Sequence, residues 1–145
     1  MMPFDSYPHG GLKLIGRPTG ANCRHEYGLK LQKLAGLGDC AYCGMSMVDA
    51  YEHWLMMSVD HVVPTRAGQS VGISNDWLAD YANIVLCCSA CNGLGNRFKL
   101  MPEVISPATL EEFFSLRDQV FAQRKMLILL RHEKERAFFD KKAWA

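Results

Sequence analysis

The chain has 145 residues, a length that suits one domain, and its 49% hydrophobic content is enough for a packed core, which excludes global disorder. Its net charge of +1 excludes a protein that coats DNA through overall positive charge. A nucleic-acid partner would therefore require basic residues that are concentrated locally, or a second protein that supplies part of the binding surface.

The first residues carry no signal-peptide pattern, and no run reaches the roughly 18 apolar residues of a membrane span, so we expect a cytoplasmic protein. In that compartment cysteines stay reduced, and Cys-x-x-Cys pairs indicate a metal site rather than disulfides. Frequent prolines and glycines over 1–22 predict an irregular arm on the domain surface. The alternative is a specific binding arm that uses Lys13 and Arg17.

Apolar residues at helical spacing predict a short helix over 26–35, which Gly36 and Gly38 would end. The following residues, 39–44, read Asp-Cys-Ala-Tyr-Cys-Gly and predict a metal-binding knuckle. Two thiolates three positions apart can face one ion when the turn between them is tight. The methionine-rich stretch 45–57 predicts a helix or an irregular connection that packs on the core.

Two runs rich in β-branched and other apolar residues, 59–63 and 83–87, predict strands. Between the two runs we expect a turn or loop at 65–70, a weak strand at 71–74 and a helical or turn-like segment at 75–82. After the second run we expect another helical or turn-like segment at 93–100.

The last part of the chain predicts one long helix from about 107 to about 141, because neither glycine nor proline interrupts it. Ser106 before Pro107 is one start signal, and Thr109 with Glu112 offers a competing capping box. The apolar stretch 126–130 predicts packing on the N-terminal region, or contact with a protein partner or a second copy of the chain. The helix also carries charges of mixed sign, a pattern typical of a solvated face, and its basic members are Arg124, Lys125, Arg131, Lys134, Arg136, Lys141 and Lys142.

Four of the six cysteines form two Cys-x-x-Cys pairs, a spacing typical of a structural, tetrahedral zinc site: Cys40, Cys43, Cys88 and Cys91. The alternative is six unrelated reduced thiols. Cys87 competes with Cys88, because Cys87 and Cys91 lie one helical turn apart. We favour Cys88, since it restores the Cys-x-x-Cys spacing, and we expect Cys87 to be a small core residue and Cys23 a buried thiol.

A second group of side chains could act on phosphate esters. Phosphodiester hydrolysis needs a cation near the phosphate and a base for water. Asp60 and Asn92 offer hard oxygen donors that suit Mg²⁺ or Mn²⁺, and a neutral His61 offers a base. Adjacent strand residues point to opposite faces, so Asp60 and His61 share a site only if the strand bends or the site lies at its edge. Taken alone, an Asp-His pair is more typical of two surface side chains that satisfy each other than of a catalytic site.

The combination of motifs is more specific. In order, the chain contains Cys40-x-x-Cys43, then Asp60-His61-Val62-Val63-Pro64, then Asn83-Ile84-Val85-Leu86-Cys87-Cys88-x-x-Cys91-Asn92. This combination resembles the zinc-stabilised branch of the HNH endonuclease family over about residues 39–97, as a His-Asn-Asn variant.

The resemblance implies a ββα-metal fold, in which a β-hairpin and a helix hold one catalytic divalent ion. It implies that Asp60 and Asn92 bind Mg²⁺ or Mn²⁺ and that His61 activates water for in-line attack. It also implies that Asn83 braces the hairpin loop and orients His61, and that the products carry a 5′-phosphate and a 3′-hydroxyl.

The sequence departs from the family pattern in three places. The third motif position is Asn92 rather than histidine, 93–97 lacks the usual basic run, and only Gly68 stands where a Gly-Gly pair is common. Because the usual basic run is missing at 93–97, phosphate binding must depend on other residues. We expect backbone phosphates to contact three basic residues near the motif, Arg66, Arg97 and Lys99.

Together these features predict one compact α+β domain with three parts. They are an N-terminal arm and short helix (1–38), an HNH core with a structural zinc (39–100), and a long C-terminal helix (101–145). The expected function is metal-dependent hydrolysis of DNA phosphodiester bonds. The alternative is a non-catalytic zinc module that binds nucleic acid or a protein partner through the long helix.

Overall fold

A computed structural model describes residues 2–8, 14, 16, 23–36, 38–96, 98–142 and 144–145. The candidate arm residues Lys13 and Arg17 and the candidate phosphate contact Arg97 lie outside these residues. The fold is of the α+β class, with a small two-stranded antiparallel sheet and a long C-terminal helix. No helix in the described part of the chain combines the length and the apolar character that crossing a membrane requires.

The described residues form a series of helices and helical turns, together with two strands. The helical elements are a 3₁₀ turn (Pro3–Ser6), a π-helical turn (Cys23–Tyr27), α1 (Gly28–Ala35), α2 (Tyr51–Leu55), α3 (Thr65–Ser70), α4 (Asn75–Leu78), a 3₁₀ turn (Tyr81–Asn83), α5 (Ser89–Gly95) and α6 (Leu110–Asp140). The strands are β1 (Met57–His61) and β2 (Ile84–Cys88), which pair antiparallel with Met57 opposite Cys88 and His61 opposite Ile84.

The two strands and the first long helical segment lie close to their predicted positions. The π-helical turn leads directly into α1, and Gly36 ends that helix in the left-handed conformation at φ 67°. Glycine is the residue that adopts this conformation without steric cost. All five residues of β2 are buried, so this strand lies inside the fold rather than on its surface.

The predictions for 65–70 and 71–74 are wrong. The first segment is the helix α3 rather than a loop, because the extended Pro64 acts as its N-cap and the amide of Gly68 bonds to the Pro64 carbonyl at 2.8 Å. The second segment is a turn rather than a weak strand, because Gly72 takes a positive φ of 81°, which interrupts an extended chain.

Helix α6 packs on the core along one stripe. Its buried residues recur every three or four positions: Phe113, Arg117, Val120, Phe121, Arg124 and Ile128. The N-terminal 3₁₀ turn packs on this stripe, since the Phe4 ring lies edge-on to Phe121 at 5.7 Å and under the Arg117 guanidinium at 3.9 Å. Four of the five side chains at 126–130 are exposed, by 37% to 57%, and only Ile128 is buried.

The start of α6 shows whether the helix is capped at Ser106 or at Thr109. The helix begins at Leu110, and the Thr109 hydroxyl accepts a hydrogen bond from the Glu112 amide at 3.1 Å. The Glu112 carboxylate in turn accepts from the Ala108 amide at 2.7 Å. The cap is therefore Thr109, and the start predicted at 107 is three residues early.

Replacing Thr109 with alanine should lower the free energy of unfolding by about 1 kcal/mol, because the first turn of α6 loses its side-chain acceptor. The measurement is urea-induced unfolding of zinc-loaded protein. Thr109→Ser keeps the hydroxyl and is the matched control, for which we expect a change of only a few tenths of a kcal/mol. Equal losses in the two variants would contradict the capping role.

Candidate functional site

The four cysteines of the two Cys-x-x-Cys pairs form one cluster, hereafter the four-cysteine cluster. Its Sγ atoms all lie within 4.8 Å of one another, and those of Cys43 and Cys88 are 3.9 Å apart. Sulfurs that bind one tetrahedral zinc at about 2.3 Å are about 3.8 Å apart. The cluster could therefore hold a metal such as zinc, and within the described residues it is the only such group of cysteine, histidine and acidic side chains.

The backbone shapes both halves of this cluster. In the first half, Gly44 takes a positive φ of 78° and its amide bonds to the Cys40 carbonyl at 2.9 Å, which closes the knuckle. In the second half, Cys88 ends β2 and caps α5, and its Sγ accepts from the Cys91 amide at 3.4 Å. Amides that point at sulfur favour the thiolate form, which is the form that binds metal.

The crowding of the sulfur atoms indicates that a cation belongs here. Cys40, Cys88 and Cys91 are buried and Cys43 is exposed. Hydrogen bonds with Cys40 and Cys88 raise the pKa of Cys91, and the hydrogen bond with Cys40 raises the pKa of Cys88 to about 11. Several thiolates at this spacing repel one another, so a bound cation is needed to keep all four ionised near neutral pH.

The two remaining cysteines are outside the cluster. Cys87 is fully buried in the core, and burial raises the pKa of its thiol. Because neighbouring strand residues point to opposite faces, Cys87 enters the core while Cys88 reaches the cluster. Cys23 is also buried, at 1% exposure, as expected. The choice of Cys88 over Cys87 is thus confirmed.

One contact of the cluster could not be read from the sequence. The Nε2 atom of His132, on α6, lies 3.1 Å from the Sγ atom of Cys91. An imidazole N–H that donates to a metal-bound thiolate would stabilise its charge and fix its position. The contact also joins the long helix to the cluster, across 41 positions of sequence.

A second feature is a cavity of about 230 Å³ at the end of β1, hereafter the hairpin cavity. Three of the four predicted catalytic residues line it: Asp60, His61 and Asn92. Asn96 and Arg124 line it as well. Asp60 and His61 share the cavity although they are neighbours, because His61 is the last residue of β1 and the cavity lies at that end.

Asn83, the fourth predicted residue, is fully buried and does not line this cavity. Its amide oxygen accepts from the Val63 amide at 3.0 Å, and its amide nitrogen donates to the carbonyls of Val63 and Leu78 at 3.1 and 3.0 Å. These bonds hold the chain that follows β1 against the 3₁₀ turn before β2. Asn83 reaches His61 only indirectly, through this main chain.

Asp60 is the most constrained member of the site. Its carboxylate is buried and accepts two hydrogen bonds from the Arg124 guanidinium, at 2.6 and 3.2 Å, and one from the Tyr42 hydroxyl. Arg124 is only 3% exposed. The expectation that Arg124 belongs to a solvated face is therefore wrong, since this residue falls on the buried stripe of α6.

His61 has a different environment from its neighbour. Burial lowers the pKa of the imidazole, and the nearby Arg124 lowers it further, while Asp60 acts in the opposite direction. The ring is therefore neutral at pH 7 and can accept a proton. No described residue donates to or accepts from it, which leaves both ring nitrogens available to water or a ligand.

The donor atoms of the hairpin cavity suit a hard divalent cation. The Asn92 amide nitrogen donates to the Ser58 hydroxyl at 2.9 Å, which leaves its amide oxygen as a potential ligand. A carboxylate has about four acceptor positions, and Asp60 uses three of them. The donors thus fit Mg²⁺ or Mn²⁺, whereas the positive charge of Arg124 beside Asp60 opposes it.

Two of the three residues predicted to contact phosphate can be located. Arg66 on α3 and Lys99 after α5 are both exposed, and neither forms an ion pair with another described residue. Both remain available to a charged partner. Their contact with phosphate stays a prediction, and Arg97 lies outside the described residues.

Comparison with known proteins does not identify a family for this chain. The chain has no match among family models, curated proteins or solved structures. What the structure itself defines is an α+β protein with a long C-terminal helix and a cysteine cluster of the zinc-binding type.

Replacing Cys91 with alanine should abolish binding of one zinc ion per chain and unfold the domain, because metal-binding free energy contributes directly to folding. Metal content by mass spectrometry and the thermal unfolding temperature are the measurements. Cys87→Ala is the matched control, because it removes a buried thiol of the same strand and helix junction without touching the cluster. It should keep its zinc and lose only a little stability. Full zinc content and an unchanged unfolding temperature in Cys91→Ala would contradict the metal site.

His132→Ala should weaken zinc binding about tenfold or more while leaving the fold intact, because Cys91 loses its outer hydrogen bond. Competition with a chromogenic chelator measures the affinity. His25→Ala is the control, since that ring packs on Trp54 and not on a cysteine. Equal zinc affinities for the His132 and His25 variants would show that the contact has no effect on the metal.

Proposed function

We propose that the protein is an HNH-type endonuclease that hydrolyses DNA phosphodiester bonds with the help of a divalent metal ion. One observation carries the proposal: Asp60, His61 and Asn92 come from a strand and a separate helix, and they line the same cavity. The order of β1, β2 and α5 along the chain, with β1 and α5 lining this cavity, and the nearby four-cysteine cluster that suits a structural zinc support a ββα-metal core.

The proposed chemistry divides between the residues of the hairpin cavity. His61, held neutral by burial, takes a proton from the attacking water. Asn83 keeps the residues after His61 in place through its bonds to Val63. A divalent ion on Asp60 and Asn92 would supply positive charge to the phosphate and to the leaving oxygen.

Binding to nucleic acid must depend on a small number of basic residues. The net charge is only +1, so the general electrostatic attraction to DNA is weak. Arg66 and Lys99, exposed and without acidic partners among the described residues, are proposed to contact backbone phosphates, and Arg97 to act with them. Contacts of this kind position the substrate without selecting its sequence.

The test is nicking of supercoiled plasmid by zinc-loaded protein in the presence of Mg²⁺ or Mn²⁺. His61→Ala should reduce the rate at least about 100-fold, because the water loses its base. The matched control is His53→Ala, since His53 bonds to Asp49 and lines neither the hairpin cavity nor the cluster. It should keep the wild-type rate. The proposal fails if the wild-type protein does not nick DNA above the level of the His61 variant.

A second candidate function is a non-catalytic zinc module that binds nucleic acid or a protein partner through α6. Two observations favour it: the Asp60 carboxylate is already paired with Arg124, and four apolar side chains of α6 are exposed, namely Met126, Leu127, Leu129 and Leu130. Under this alternative the protein would bind zinc, would bind no second metal ion that EDTA removes, and would not cut DNA. A strictly monomeric mass by sedimentation would exclude self-association through these side chains.

A further inference from the structure

We propose that Arg124 regulates the proposed catalytic centre by holding the carboxylate of Asp60, so that a divalent cation binds at Asp60 only by competing with the guanidinium. The identity of the cation site rests on the proposed function. The competition itself concerns groups that are already in contact, and it can be measured without DNA.

Arg124 is held in place by several hydrogen bonds. One of its terminal nitrogens donates to Asp60 at 2.6 Å and to the carbonyls of His61 and Val62 at 2.9 Å each. The other donates to Asp60 at 3.2 Å and to the Gly95 carbonyl at 3.4 Å. The guanidinium thus joins the end of β1 to the end of α5. A cation that approaches Asp60 meets a positive charge that is fixed in place.

The guanidinium of Arg124 is a delocalised cation, so it opposes a metal ion that approaches Asp60. Arg124 and the cavity-facing donors Asp60 and Asn92 line the same space. Repulsion between two cations on one carboxylate is strong in a partly buried site, where water screens it poorly.

Asp60 is also linked to the four-cysteine cluster. Tyr42, one of the two residues between Cys40 and Cys43 in the knuckle, donates its hydroxyl hydrogen to Asp60. Its ring stacks on Phe121 of α6 at 5.3 Å. The carboxylate is therefore held by the knuckle on one side and by α6 on the other. A divalent ion can use the one free acceptor position of Asp60 only against the charge of Arg124, and it gains both carboxylate oxygens only when the Arg124 contact gives way.

The test is Mn²⁺ binding by zinc-loaded, full-length protein without DNA, followed by the electron paramagnetic resonance signal of free Mn²⁺. Arg124→Gln should bind Mn²⁺ at least tenfold more tightly than the wild type, because the competing charge is removed. Arg117→Gln is the matched control, since Arg117 is also a buried arginine of α6 but bonds to Asp118 and the Ala82 carbonyl. It should bind Mn²⁺ as the wild type does. Adding Asp60→Asn to Arg124→Gln should abolish the gain.

Unchanged or weaker Mn²⁺ binding by folded Arg124→Gln would overturn the proposal. Because that variant removes one partner of a buried ion pair and could fail to fold, a crystal structure of the wild-type protein in millimolar Mn²⁺ provides a second test. Mn²⁺ on Asp60 with the guanidinium displaced supports competition, and Mn²⁺ on Asp60 beside an intact Asp60–Arg124 pair overturns it. Neither the Mn²⁺-binding measurement nor the crystal structure depends on nicking of DNA. The competition at Asp60 and the proposed nuclease activity are therefore tested independently.

Discussion

The burial of the Asp60 carboxylate is the constraint on which the centre of this structure depends. A charged group inside a protein must be paired and hydrogen-bonded, and Asp60 obtains its partner from Arg124, 64 positions later in the sequence. The same guanidinium also bonds to three main-chain carbonyls around the end of β1 and α5. Losing one partner of such a pair typically costs about 3–5 kcal/mol, because the other charge stays buried. The pair therefore fixes where α6 lies.

The contact between α5 and α6 extends this arrangement to the cysteine cluster. Successive turns of α6 present Arg124, Ile128 and His132. Arg124 reaches the Gly95 carbonyl, Ile128 borders the space that a β-carbon at position 95 would fill, and His132 reaches the Cys91 sulfur. A β-carbon at position 95 would lie 3.0 Å from the Arg124 guanidinium and 3.2 Å from Ile128, so the close approach of the helices favours glycine. One face of α6 thus contacts both the carboxylate and the four-cysteine cluster.

Local signals in the sequence were sufficient for features that are determined locally. Cysteine spacing identified the cluster and separated Cys88 from Cys87, and the Thr109–Glu112 pattern marked the start of α6 as one of two options. Signals that depend on tertiary contact were missed. Arg124 looked like one charge among many, although it lies four positions before Ile128 on the apolar stripe, and that spacing was the available clue. Tyr42 and His132 gave no clue, because their partners come from distant segments.

The position of the hairpin cavity explains how two neighbouring residues can differ so much in environment. Along a strand, alternation would place Asp60 and His61 on opposite faces, but at the end of β1 the chain turns away and both side chains border one space. Asp60 faces inward to Arg124 and Tyr42 and is enclosed, whereas the His61 ring has no hydrogen-bond partner among the described residues and His61 stays half-buried. The enclosed position suits a group that must remain charged and fixed. Under the proposed function, the half-buried position would suit the group that exchanges a proton with water, and the end of the strand, rather than its middle, would let this pair divide those tasks.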